Sequence, residues 1–278
     1  MDVSGACGVV YRNHNKLLRS VGDSAVQNAY LASRQWGAGT FVAMQPVDRQ
    51  RTLSDEDVFF SIHQRLGVLV EEVFGIMEGS KCGHCDAGMS LSHLTSCEKF
   101  NHKRHGALRD IIRNMVASTG VACLTEKQSD FSSERADIWT TNYTNPELRP
   151  EKSWLAGDVT VVSPVDQNGD FKAKAMDVAA KAKIAKYTKN DAAESFSKNM
   201  HAVIVPLAKS TFGAMQDNLH SFIAKTSTFT VKTNRYIPGV DEYFIPKWKQ
   251  IIAATLIRAQ AAAFRSLLVA FGVDAEMV

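Results

Sequence analysis

Hydrophobic positions along the chain change their period near residue 103. Upstream, Ser54 with Asp57 three residues on, ahead of Val58, Phe59, Ile62 and Leu66, predicts a capped amphipathic helix. Gly67 breaks it, although apolar spacing resumes through Val70, Val73 and Phe74. Residues 1–80 therefore read as helical, with one loop at Gln45-Pro46-Val47-Asp48. Residues 79–102 are rich in Gly, Ser, Cys and His and have little period, so something other than a core must organise them. From Lys103, Leu108, Ile111, Ile112, Met115 and Val116 follow a helical spacing, and Gly120 stands where a C-terminal cap belongs. Strands are predicted over 121–126, 135–140, 158–163 and 202–207, the third from the β-branched run DVTVVS. A polar insert with Pro146 and Pro150 precedes that third strand. A turn at Asp166-Gln167-Asn168-Gly169 follows it, with Asp170 capping a long helix that ends near Lys186. Residues 214–278 are predicted mostly helical. The order over 101–213 is helix, three strands, helix, strand, an α/β pattern.

Composition changes this picture little. Of 278 residues, 45% are hydrophobic and 22% charged, a globular balance. The net charge of +3 is too small to announce a polyanion partner, so any basic surface must come from local clustering. The segment MDVSGACGVVYRNHNK has no apolar core for a secretory signal. Arg258 and Arg265 interrupt the apolar stretch IIAATLIRAQAAAFRSLLVAF, which predicts a buried helix rather than a membrane span. The 5 cysteines make an odd total, three of them in one short segment, which argues against a disulfide framework and for a soluble protein in a reducing compartment. Cys7 and Cys123 read as ordinary thiols.

Cys82, Cys85, His93 and Cys97 are spaced C-x2-C-x7-H-x3-C. A C-x2-C pair on one tight turn aims both thiolates at one metal, and His and Cys four apart share a helical face. Three thiolates and an imidazole make a closed, structural zinc site over 81–100, with His84 as a competitor for His93. Such a knuckle either grips nucleic acid or staples a loop. Lys99, Lys103, Arg104, Arg109 and Arg113 form a basic run beside it, suited to phosphate contact.

Glu126, Asp137 and Asp158 stand at ends of predicted strands. Carboxylates that converge repel, and a hard divalent ion such as Mg2+ or Mn2+ relieves the repulsion. On the next helix Lys183 and Lys186 share a face, Tyr187 lies one turn beyond Lys183, and Lys172 falls three turns before it. A lysine near a metal can orient water or stabilise a phosphate in flight. The plainer reading of the same helix is a solvated lysine face. His105, three before Leu108, is expected to be a buried structural histidine rather than a base. Trp36, Trp139, Trp154 and Trp248 are expected in the core, with Lys247-Trp248-Lys249 the best candidate for an exposed aromatic.

Taken in order, these residues resemble the region downstream of the reverse transcriptase in non-LTR retrotransposons that carry a restriction-enzyme-like endonuclease. The matching blocks are GAGTFVAMQPVDRQRTLSDEDVFFSIHQRLGV (residues 37–68), CGHCDAGMSLSHLTSC, KRHGALRD, ERADIW, DVTVVSP, AKIAKY and VPLAKSTFG, and they span roughly residues 30 to 215. The resemblance implies a PD-(D/E)XK nuclease core over 101–213, with helical extensions over 1–80 and 214–278. It matches Asp137 to the first metal-binding aspartate and Asp158 to the second acidic residue. The lysine usually two positions later is Thr160 here, and its role falls to Lys183 or Lys186, with Tyr187 adjoining. Arg104 and His105 match the start of an RHN-like motif. Three departures stand out: Gly106 replaces the usual Asn, a longer insert separates Asp137 from Asp158, and Lys209-Ser210-Thr211 replaces a VET-like strand end, so Ser210 lacks a carboxylate.

What the resemblance implies is a nuclear, metal-dependent DNA endonuclease that uses Mg2+ or Mn2+ on Asp137 and Asp158, with Glu126, and a structural zinc. DNA, the element's RNA and a reverse transcriptase domain are the expected partners. The start at Met1 leaves no polymerase ahead of these blocks, so a truncated element, a derived gene or an excised domain is expected. The alternative is a decayed module that binds DNA or RNA without cutting it.

Overall fold

The computed structural model describes residues 24–41, 44, 46–66, 80–89, 91–128, 135–141, 143, 154–166, 168–187, 202–233 and 240–270. Cys7, the apolar spacing at Val70, Val73 and Phe74, and the insert around Pro146 and Pro150 lie outside them. Helix α1 covers Ser24–Ser33 and α2 covers Asp55–Leu66, with a short 3-10 helix, Ala38–Phe41, between them. The cap predicted at Ser54 is reciprocal: Asp57 N donates to Ser54 Oγ and Ser54 N to Asp57 Oδ2, each at 3.1 Å. Helices α3 (Leu91–Ser96) and α4 (Glu98–Ser118) follow, and α4 stops at Thr119 with Gly120 at φ 79°, the left-handed turn that a residue without Cβ makes at no steric penalty.

The sheet is built from β1 (Cys123–Gln128), β2 (Arg135–Thr141), β3 (Trp154–Val162) and β4 (Ala202–Ser210), in that spatial order. The first three form an antiparallel meander, and β4 joins β3 in parallel. A parallel neighbour needs a crossover, and α5 (Ala175–Lys186) lies within it. Helices α6 (Asp217–Lys232) and α7 (Val240–Ala270) close the described chain. This is a mixed α/β arrangement around an open four-stranded sheet.

The strands exceed their predicted bounds where pairing and burial recruit extra residues. Strand β3 starts at Trp154, because Trp154 and Leu155 pair with both β2 and β4. Strand β4 runs on to Ser210, which pairs with Val162, and β1 begins two residues later than its predicted start. One face of the sheet buries Ile138, Leu155, Val159 and Leu207 against Leu108, Ile112, Met115 and Val116 of α4 and against α6 and α7. The other buries Trp139 and Ala156 under Tyr187. Helix α5 starts at Ala175, later than expected, because Asp170 closes the preceding turn: its N–H donates to Asp166 Oδ1 at 2.9 Å. Trp139 and Trp248 are buried, as expected of core residues, so Trp248 is not the exposed aromatic; Trp36 and Trp154 are exposed, with Lys249 5.0 Å above the Trp36 ring. Among the described residues no helix is long and apolar enough to cross a membrane.

Gly157 sits where β2, β3 and β4 meet. A Cβ there would lie 2.9 Å from Leu207 Cδ1 and 3.3 Å from Ile138 Cβ, both in buried residues. Gly157→Ala should therefore lower stability by about 1–3 kcal/mol, as overpacking of a filled core does. Urea unfolding of the two proteins, compared by midpoint and slope, checks this.

Candidate functional site

The cysteine cluster is assembled by local backbone geometry. Cys85 N and Asp86 N donate to Cys82 O at 3.3 and 2.9 Å, and Asp86 adopts φ 58°, which folds Cys82 and Cys85 onto one turn. His93 lies on α3, and Cys97 links α3 to α4, with its N–H on His93 O at 2.7 Å. The four ligand atoms all lie within 4.8 Å of one another, so the group can hold a metal ion such as zinc. Burial pushes the His93 ring below its ordinary pKa and keeps it neutral, the form that ligates. His84 stays outside this set, exposed, with Nδ1 2.8 Å from Lys99 Nζ. Met89, Leu94 and Phe100 pack around the cluster together with Phe60 and Phe264.

The second site forms where β2 and β3 part. Their last pair in this direction is Ile138 with Gly157, and one step further the register sets Asp137 beside Asp158. The two carboxyl groups are close enough for each to act on the ionisation of the other. Asp137 Oδ2 accepts from Val159 N at 2.7 Å and lies 3.1 Å from His105 Nε2. Asp158 is 2% exposed; its Oδ1 is 2.5 Å from Lys183 Nζ and its Oδ2 is 2.7 Å from the Tyr187 hydroxyl, with Lys186 Nζ at 3.9 Å. The hydroxyl also lies 2.7 Å from Arg135 O. One phenolic proton thus faces a carbonyl and a carboxylate, and a proton on the carboxyl pair lets both contacts form. The charges agree. Burial pushes Asp158 above the ordinary carboxylate range, against the pull of Lys183, and Asp137 adds to the rise. Burial opposes ionisation of Asp137 too, but the hydrogen bond and charge of His105, with the Val159 N–H, hold it below that range. The arrangement can keep one proton between two acids, or exchange it for a cation.

Asp137, Asp158, Lys183, Lys186 and Tyr187, singled out in the sequence, are thus brought together. Four other expectations need correction. Glu126 occupies the register position opposite Asp137, between the pairs Thr125–Ile138 and Lys127–Ala136, but at φ 53°. Its side chain is exposed and accepts from Arg109, so it does not join the two aspartates. Lys172 precedes α5 and is held by Asp166 at 3.1 Å and Asp170 at 3.7 Å, off the lysine stripe. Arg104 is buried at 2% exposure and its Nη1 donates to Leu94 O, so it is no surface phosphate contact. His105, in contrast, is partly exposed and touches the carboxylate pair. Positions 104 and 105 both lie within one turn of Leu108, and only packing decides which turns inward. Of the other basic residues, Lys99 and Lys103 are exposed on α4, while Arg113 bonds Asn114 at the surface.

Two outcomes follow. Cys82→Ser or Cys97→Ser should lose the zinc that the parent retains after gel filtration, while His84→Ala keeps it; metal analysis by mass spectrometry decides, and equal loss in all three would sink the ligand set. The second concerns Asp158. The folded protein holds its proton more tightly than the unfolded chain does, so this contribution to stability is full below the ordinary carboxylate range and is lost as pH rises through the raised folded-state value. Asp158→Asn fixes the neutral form, and the Tm of the metal-free protein should rise at pH 8 and change least at low pH; a fall in Tm at pH 8 would contradict it.

The chain matches no family model and no curated protein.

Proposed function

We propose that the chain is a metal-dependent DNA endonuclease with a PD-(D/E)XK core, of the kind found behind non-LTR retrotransposon reverse transcriptases. One observation carries the reading: Asp137 and Asp158 meet at the parting of β2 and β3 with the Lys183 ammonium on Asp158. The element order supports it too, since α4, the meander β1–β3, α5 and parallel β4 follow the order expected of that core.

The donor set fits a hard cation. Both groups are carboxylates, they are held close enough to act on each other's ionisation, and burial makes full ionisation of the pair unfavourable unless positive charge arrives. Asp137 and Asp158 would hold Mg2+ or Mn2+, which supplies an activated water and takes up charge developing on the phosphate. The rest falls to the chain. Lys183 provides the positive charge nearest the acids, and Lys186, whose Nζ lies 4.9 Å from the Tyr187 ring centroid, provides a second. Tyr187 fixes the orientation of Asp158 and His105 that of Asp137, so the two acids are set before substrate arrives. Exposed Lys99 and Lys103 beside the cysteine cluster are the phosphate contacts that would grip DNA, while Lys172 is neutralised by Asp166 and Asp170. On this reading the chain acts in the nucleus, on DNA that an element's RNA and reverse transcriptase also engage.

A second reading, a binding module that no longer cuts, is favoured by one feature. Where the related elements carry an acid, Ser210 Oγ accepts from Ala214 N and offers no carboxylate, and Glu126 is held by Arg109. Supercoiled plasmid with Mg2+ or Mn2+ separates the two. The endonuclease nicks or linearises it, Asp158→Ala abolishes this, and Lys183→Ala slows it by about 100-fold or more. Salt-sensitive DNA binding without cleavage in either metal supports the binding module instead.

A further inference from the structure

Among the described residues β4 is the outer strand of the sheet, paired with β3 on one side and with no strand on the other. The bonds at its C-terminal end tell the two edges apart. Thr211 N donates to Val162 O of β3 at 2.9 Å, so odd-numbered residues turn their backbone groups toward β3. Gln216 N donates to Ala208 O at 3.1 Å and Ser210 N to Ala214 O at 2.8 Å, so even-numbered residues turn theirs outward. The chain entering α6 thus covers positions 208 and 210. Upstream of that cover the outward groups are Ile204 N–H, Ile204 O and Pro206 O. Proline is tolerated at such a position because no neighbouring strand calls for the N–H it lacks.

A groove of about 220 Å³ lies along this edge, lined by Ile204, Val205 and Pro206. Ile184 of α5 flanks it on the face where Ile204 packs, and Ser221 and Lys225 of α6 flank it on the face where Val205 packs. Ile184, Ser221 and Lys225 are all exposed, and none of the lining residues is acidic. We propose that this edge binds an extended peptide of alternating apolar and acidic residues, added to the sheet as a further strand beside β4. A peptide backbone offers donors and acceptors in turn, as Ile204 and Pro206 require. Its successive side chains point to opposite faces, so one set meets Ile184 and Ile204 and the other meets the Lys225 ammonium. A nucleic acid fits worse: the edge is richer in acceptors than in donors, and a phosphodiester has no proton to give. A second copy joined through the same edge also fits worse, because two-fold pairing brings Lys225 toward its own image. The groove shares no residue with the aspartate pair and does not rest on the endonuclease reading.

The test titrates the full chain into a fluorescein-labelled pentapeptide, Val-Glu-Val-Glu-Val, and reads its anisotropy. Saturable binding is expected, with Val-Lys-Val-Lys-Val weaker by about tenfold or more, and Lys225→Glu should reverse that order. The substitution lies on the exposed side of α6, and circular dichroism checks that the variant folds. Of two glutamate peptides N-methylated at alternate residues, the one that loses the N–H groups facing β4 should not bind and the other should. In 15N spectra the Ile204 amide should shift on binding and exchange more slowly with solvent. Equal binding of both methylated peptides, or an unchanged preference in Lys225→Glu, would overturn the proposal. So would a dimer of the chain alone with the Ile204 amide already protected, which assigns the edge to a second copy. Stronger displacement of the peptide by single-stranded DNA than by unlabelled peptide would likewise assign it to nucleic acid.

Discussion

The rotation of α4 about its own axis is set by Leu108, Ile111, Ile112, Met115 and Val116, which bury one side of a 21-residue helix against the sheet and α7. Every other feature of interest is attached to that helix. Its N-terminus is Cys97, so the Cys82–Cys85–His93–Cys97 cluster is tied to the helix by a covalent step rather than by packing alone. With the helix phase fixed, Arg104 points into the interior, His105 reaches Asp137, and Arg109 reaches Glu126. A small rotation of α4 would unseat all three together. The cysteine segment, by fixing where α4 begins, therefore bears on the geometry of the carboxylate pair although the two share no residue.

The pair itself is a place where stability and chemistry oppose each other. Two acids held in contact, one of them almost wholly buried, form an arrangement that a fold selected only for stability would replace by apolar residues. Here the surroundings are built to keep them. Val159 N–H and His105 hold one acid, and Lys183 and Tyr187 hold the other. Tyr187 is fully buried and its ring also caps the smaller face of the sheet over Trp139 and Ala156, so the same side chain serves core and site. Tension of this kind is common where a group must stay reactive, because the proton on such a pair is readily exchanged for a cation.

Local signals in the sequence carried much of this. The Ser54–Asp57 cap, the Gly120 stop and the four strands depend on chemistry within a few residues, and the structure has each of them. The acids, lysines and tyrosine of the site were legible because strand ends and one helical face bring them together by topology. What was not legible depended on phase and on competing partners. Residues 104 and 105 are both compatible with the face of Leu108, so spacing could not say which is buried. Asp170 has the chemistry of a helix cap, but Asp166 accepts its N–H and closes a turn first. Glu126 stands in the expected register, yet its left-handed backbone and Arg109 take its carboxylate away from the pair.

The buried cations show where an acceptor is still required. Arg65, pushed down to about 10 by burial, spends its Nη2 on Ala38 O and Phe212 O, at 2.6 and 2.8 Å. Lys209 is fully buried beside the Ser210 that lacks the expected acid, and burial, with the charge of Arg65, lowers it to about 7, so near neutrality it can shed its charge while Nζ holds Gly213 O at 2.7 Å. Arg104 has neither escape. It too is lowered by burial only to about 10, which leaves it charged at neutral pH, and it has one carbonyl where its group carries five donors. Carbonyls suffice for the first cation and deprotonation for the second. The third keeps two donors, Nε and Nη2, buried without a partner beside the cysteine cluster, a cost that the packing of α3 against α4 must carry.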